Sequence, residues 1–203
     1  MSNINRYYEA LIQVQKGYLN SIHILAVKNP CACGKILNMK PSQVSSLANQ
    51  TSESWARFIS NLKSWVLFPK KDIADNCLFE YFINNINSYE SITNQVNSRI
   101  SLGLNMPYDI DDLSKVSKYQ SAIFQNICLC VLEDPLFTKG LLFMKQSTID
   151  LIADSYLTSN KLHFIDPVIP FFVINNSIDY GIFFSDDSNA CHHVEQVLFS
   201  IVA

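Results

Sequence analysis

Charged residues are scarce in this chain. Asp, Glu, Lys and Arg make up 16% of the 203 residues, whereas hydrophobic residues make up 48% and aromatic residues 12%. About 25% charged residues is usual for a soluble domain. A surface with so few charges is hard to keep solvated, so we expect part of it to face another protein.

Clusters of basic residues are also missing. The net charge is −3, and Lys70-Lys71 is the one adjacent pair of basic residues in the sequence. Proteins that bind nucleic acid concentrate Lys and Arg, because contacts to phosphates supply much of the affinity. We therefore expect no direct binding to nucleic acid by this chain alone.

Long apolar runs are absent. The first eight residues are polar and no cleavage site follows an apolar core, so no signal peptide is expected. The apolar runs at 127–132 and 168–174 are much shorter than the roughly 18 residues of a membrane span. We predict a cytoplasmic protein that meets membranes only through a complex, with reduced thiols at all its cysteines: Cys31, Cys33, Cys77, Cys128, Cys130 and Cys191.

Catalytic and metal-binding patterns are weak. With only five glycines there is no glycine-rich phosphate or oxyanion loop. Cys191 and His192 are adjacent, and neighbours on a helix point about 100° apart, so His192 is poorly placed to activate the thiol. A composite zinc site of Cys31, Cys33, His192 and His193 lacks the usual ligand spacing. We predict a protein that is not an enzyme and has no catalytic residue, metal or cofactor.

Apolar residues recur with helical spacing over most of the chain. Asn29-Pro30 and Asp134-Pro135 end two long helices, because the residue before proline disfavours the helical conformation. Extended structure is expected near the C-terminus, where Pro167 and Pro170 interrupt an apolar segment. The pattern predicts a mainly α fold with a small β contribution; its helices fall at 4–27, 34–39, 41–48, 52–68 (partly extended), 75–100, 109–133, 143–157 and 190–202.

The segment 29–50 is similar to the segment that lies 105 residues later, and we call this internal similarity the echo. Pro30 aligns with Pro135, and an ungapped match to 134–155 contains six identities, at the Pro, Leu, Met, Lys, Ser and Ala positions 30, 37, 39, 40, 42 and 48. Gln15 and Ile22 also fall on Gln120 and Ile127. A duplication is the favoured interpretation, and the alternative is that two amphipathic segments match because they share one periodicity.

A duplication predicts two similar helical modules that pack as a pseudo-dimer. The first module would span 1–70, a connecting helix and loop 71–108, and a second module with extended segments and a closing helix 109–203. In this alignment Cys31 and Cys33 correspond to Leu136 and Thr138. We therefore expect both cysteines to fill the core of the first module rather than to bind metal.

Aromatic and leucine side chains could form an apolar groove for a partner segment. The alternative is that they are mostly core. The candidate partner-binding residues are Trp55, Phe58, Leu62, Trp65, Phe68, Phe171 and Phe172.

The pattern Leu37-x-Met39-x-Pro41-x-Gln43-Val44-x-x-Leu47-Ala48 resembles the module of the FlhD family of flagellar regulators. The resemblance covers about residues 8–58, with a fainter second copy at 119–156. It implies a dimer-like helical regulatory subunit that acts with a DNA-binding partner. FlhD chains are about half this length, so a fused pair departs from the family.

The chain is also similar to adaptors of the LvgA type in bacterial Dot/Icm type IVB secretion systems. The shared features are size, mild acidity, abundant reduced cysteine and a lack of catalytic motifs. This resemblance implies a non-enzymatic, chaperone-like subunit of a type IVB coupling complex involved in virulence. Its partners would be other subunits of that complex and effector peptides. The adaptor is our leading prediction and the FlhD-like regulator the alternative.

Overall fold

The protein is mainly helical in the computed structural model, which describes residues 3–37, 39–69, 110–142, 144–159 and 172–174. This confirms the predicted fold class at the level of a mainly α chain. The elements of the described residues are α1 (Asn3–Lys28), α2 (Pro30–Leu37), α3 (Pro41–Ala48), α4 (Ser52–Asn61), β1 (Leu67–Pro69), α5 (Ile110–Glu133), α6 (Pro135–Leu142), α7 (Gln146–Ser159) and β2 (Phe172–Ile174).

Several predictions concern residues outside this description. They are the connecting helix at 75–100, the extended piece at 180–184 and the closing helix at 190–202. The domain boundaries at 70/71 and 108/109 fall on such residues and stay predictions. None of the described helices combines the length and the apolar character that crossing a membrane requires.

Polar side chains cap the starts of short helices. Asn29 Oδ1 accepts a hydrogen bond from Ala32 N at 3.0 Å at the start of α2. At the start of α4, Thr51 Oγ1 accepts one from Ser54 N at 3.1 Å. Such caps satisfy backbone N–H groups that have no partner within the helix, and each contributes about 1 kcal/mol. The helix boundaries are therefore encoded locally.

The core lies between the two long helices, because α1 packs along α5. Both present buried apolar rows, and Gly17 brings them close together. A Cβ atom built on Gly17 would lie 2.6 Å from Cζ of Tyr119, well inside van der Waals contact. The row from α1 comprises Leu11, Tyr18, Leu19, Ile22 and Leu25, and the row from α5 comprises Val116, Ile123, Phe124, Ile127 and Val131.

The two strands are far apart in sequence and pair to form a small antiparallel ladder. Leu67 pairs with Ile174, Phe68 with Val173, and Pro69 with Phe172. The extended structure expected near the C-terminus is thus present at 172–174, and its partner strand is the extended end of the 52–68 segment. The ladder connects the segment that follows α4 to a segment that follows α7.

Secondary structure recurs at the spacing of the sequence echo. α2 and α6 begin at 30 and 135 and end at 37 and 142, α3 and α7 begin at 41 and 146, and β1 and β2 span 67–69 and 172–174. Asp134 Oδ1 accepts from Phe137 N at 2.9 Å, as Asn29 does from Ala32 one repeat earlier. Turn hydrogen bonds recur as well. The bond from Met39 N to Gly34 O at 2.9 Å has its equivalent in Met144 N to Lys139 O at 3.2 Å. The bond from Val44 N to Lys40 O at 3.1 Å likewise has its equivalent in Ile149 N to Lys145 O at 3.2 Å.

Candidate interaction surface

The predicted groove residues lie mainly inside the protein. Of the seven candidates, Trp55, Leu62, Trp65 and Phe172 are buried, Phe58 and Phe68 are half-buried against the core, and Phe171 lies outside the described residues. A buried side chain offers no surface to a partner unless the structure opens. Their role in partner binding stays a prediction, and their position in the core is what the structure describes.

Trp65 and Phe172 join the segments that contain the two strands. Their rings meet edge to face, with centroids 6.0 Å apart and an interplanar angle of 80°. The Tyr18 hydroxyl donates a hydrogen bond to the Phe172 carbonyl oxygen at 2.7 Å. Burial raises the pKa of Tyr18, and the nearby Cys33 adds to the rise. This hydroxyl is therefore a neutral structural donor.

Trp55 holds α4 against α1. Its indole stacks on the His23 imidazole, with centroids 4.3 Å apart and an interplanar angle of 14°. Its Nε1 donates to Asn20 Oδ1 at 2.6 Å. Burial lowers the pKa of His23, and a hydrogen bond to the Leu47 backbone opposes that shift. The stack thus packs a neutral imidazole between three helices.

Gln15 is a buried polar residue whose role the sequence did not reveal. Its Nε2 donates to Ser64 O at 2.9 Å, and its Oε1 accepts from Val66 N at 2.8 Å. The side chain therefore acts as a clamp that fixes the extended segment leading into β1. Gln120, its counterpart in the echo, is also buried. The alignment of these glutamines was the available signal, but it could not name the groups they bind.

The cysteines differ in their surroundings. Cys33 and Cys128 are buried, and burial raises the pKa of each thiol to about 12. Burial also raises the pKa of the Cys130 thiol, to about 11. Cys31, by contrast, is exposed. The expectation that both early cysteines fill the core is correct for Cys33 and wrong for Cys31, because the two side chains leave α2 in different directions.

A metal site finds no support within the described residues. No group of three or more His, Cys, Asp or Glu side chains gathers there. His192 and His193, the other half of the composite site considered from sequence, lie outside that part of the chain, as does Cys191.

Large apolar side chains reach the surface near two helix junctions. Val27 at the α1–α2 junction is 54% exposed, and Leu136 at the α5–α6 junction is 75% exposed. We define the first corner as Ile24, Val27, Lys28 and Cys31, and the second corner as Leu132, Glu133, Leu136 and Phe137, all of which are exposed.

The two corners occupy equivalent places in the echo. Val27 corresponds to Leu132, Lys28 to Glu133 and Cys31 to Leu136. Sequence periodicity did not single out these residues, because it cannot distinguish an apolar helix residue that meets the core from one near a helix end that no other element covers. Contiguous exposed apolar side chains are typical of interaction sites.

Comparison with protein-family models, with curated proteins and with solved structures finds no match to this chain.

Proposed function

We propose that the chain consists of two similar helical modules related by an internal pseudo-twofold axis. The β ladder supports this arrangement. Its central pair is Phe68 and Val173, which are equivalent in the echo, and the outer pairs exchange equivalent positions. A twofold axis produces this reciprocal pairing in a symmetric dimer. The recurring caps and turn bonds support it independently.

The function that the surface supports best is that of a non-enzymatic adaptor that binds other proteins. The observation that carries the proposal is the second corner, where Leu136 and Phe137 are 75% and 41% exposed side by side. Adjacent exposed apolar side chains are typical of interaction sites, and aromatic residues such as Phe are enriched at the centres of protein interfaces. Cys33, Cys128 and Cys130 have thiols with raised pKa values, which makes them poor nucleophiles.

The proposed partners follow from the resemblance to type IVB secretion adaptors. They are subunits of a coupling complex and effector peptides, met in the cytoplasm, with membranes approached only through the complex. The alternative is an FlhD-like regulatory subunit that acts with a DNA-binding partner. The order of a long helix, a short helix, a turn and a further helix in α1 to α3 favours that alternative, while the acidic balance of the chain disfavours it.

The test is affinity capture from the host with the full chain as bait, followed by mass spectrometry. The bait carries either the natural sequence, the double change Leu136→Ser and Phe137→Ser, or the control Gly140→Ser. Gly140 lies exposed on the same helix, and a Cβ there would meet nothing within 4 Å. We expect the double variant to lose partners that the control retains, with both variants folded by circular dichroism.

Equal capture by the double variant and the control contradicts an adaptor site at the second corner. Mobility-shift assays with the captured partners separate the two functions. A secretion adaptor gives no sequence-selective DNA complex, whereas a regulatory subunit alters the complex formed by its partner.

A further inference from the structure

The two corners are equivalent in position but opposite in charge. Residues 27–35 contain two lysines and no acidic residue, whereas residues 132–140 contain two acidic residues and one lysine. At the equivalent positions Lys28 and Glu133, the side chains are exposed and carry opposite charges. Each charge sits directly beside an exposed apolar residue, Val27 or Leu132.

We propose that the first corner of one molecule binds the second corner of another copy of this chain. Both corners are exposed in the same structure, so neither covers the other within one molecule. Two first corners would bring lysines together, and two second corners would bring glutamates together. Like charges at an interface are strongly unfavourable, so electrostatics selects the unlike pair. Val27 then packs against the apolar side chains of the second corner, next to a Lys28–Glu133 pair.

The second copy is the occupant that charge complementarity favours. Lys28 also interacts within its own chain, but an ammonium group has three donors, so the proposal does not require an unpaired side chain. A head-to-tail contact between unlike surfaces continues from copy to copy until it closes into a ring or extends as a filament. Each corner consists of four residues, far fewer than the roughly 20–30 residues per partner of a stable interface. The association is therefore weak, with a Kd of roughly tens to hundreds of micromolar.

The experiment is sedimentation velocity of the full chain over about a hundredfold range of concentration at low salt. We expect the average mass of the natural chain to rise with concentration and to fall when salt is added. Lys28→Glu leaves a glutamate in each corner, and Glu133→Lys leaves a lysine in each. Each variant alone should therefore associate about tenfold more weakly than the natural chain.

The decisive measurement is on a mixture of the two single variants. An acidic corner of one variant then meets a basic corner of the other, so the mixture should associate as the natural chain does. The double variant with both changes should also recover. Leu136→Ser should weaken association with the charges intact, and Gly140→Ser should leave it unchanged.

A natural chain that stays monomeric throughout overturns the inference, as does a mixture that associates no better than either variant alone. The inference rests on the proposed two-module arrangement but not on the adaptor function. A monomeric chain that still captures partners through Leu136 and Phe137 overturns self-association and leaves the adaptor proposal standing. If the natural chain self-associates but the Leu136 and Phe137 double variant captures the same partners as its control, the adaptor proposal is contradicted and self-association stands.

Discussion

Replacing Gly17 by alanine tests the packing of α1 on α5. In an exposed helix this change stabilises a protein by about 0.5–1 kcal/mol, because glycine has more backbone freedom to lose. Here the new Cβ would lie 2.6 Å from Cζ of Tyr119. Carbon atoms pack at about 3.5–4.0 Å, and Cε1 of the same ring would lie closer still to the new Cβ, so the ring must move by more than about 1 Å.

The expected outcome is a net loss of stability. Overpacking of this kind costs about 1–3 kcal/mol, which exceeds the gain in helix propensity. Tyr119 is 38% exposed, so its ring can shift towards solvent, and this keeps the cost at the lower end. We expect Gly17→Ala to destabilise the fold by about 0.5–2 kcal/mol and to lower Tm by about 1–8 °C for a chain of this size.

Urea unfolding with two controls measures the effect. Gly140→Ala should stabilise by up to about 1 kcal/mol, because nothing lies within 4 Å of the added Cβ. In a Tyr119→Ala background the clash is gone, so Gly17→Ala should become stabilising. A stabilising Gly17→Ala in the natural chain refutes the close contact between the helices, whatever the controls show.

Three further predictions concern Gln15, His23 and the two cysteines of α2. Gln15→Leu removes the acceptor of Val66 N–H and should cost about 2–3 kcal/mol in urea unfolding. Because burial places the folded-state pKa of His23 below its ordinary value of 6.5, the unfolded chain binds more protons. Its contribution to stability should therefore be complete above pH 6.5 and fall as the pH drops below it, a slope that His23→Gln should reduce in urea titrations. Iodoacetamide at pH 8 should label Cys31 in the native protein but Cys33 only after unfolding, as peptide mass spectrometry can show.

The two long helices were predictable because their signals are local, whereas α6 lies where no helix was predicted and α2 begins four residues before the predicted start at 34. The 3.6-residue period of α1 identifies the face that is buried, and Asn29-Pro30 marks its end. The exposure of Cys31 could also have been predicted. Residues two apart on a helix point about 200° away from each other, so Cys31 and Cys33 cannot both face the core.

The accessible surface was not predictable in the same way. Trp65 lies beyond the end of α4, where no helical period assigns it to a face, and it is covered by Phe172 from a distant part of the chain. Leu136 fits the helical pattern of α6 as well as any core residue, yet no element among the described residues covers it. Burial at such positions depends on tertiary neighbours, which a single sequence does not specify.

The hydrogen bond from Tyr18 to Phe172 also has a consequence for biosynthesis. The two residues are 154 positions apart, and a ribosome that adds about 5–20 residues per second needs about 8–30 s to make the intervening chain. During that interval the Tyr18 hydroxyl can bond only to water or to other groups, and the face of α1 that packs on α5 stays uncovered until α5 has been made. The native hydrogen bond of Tyr18 must therefore wait for translation of most of the second half of the chain.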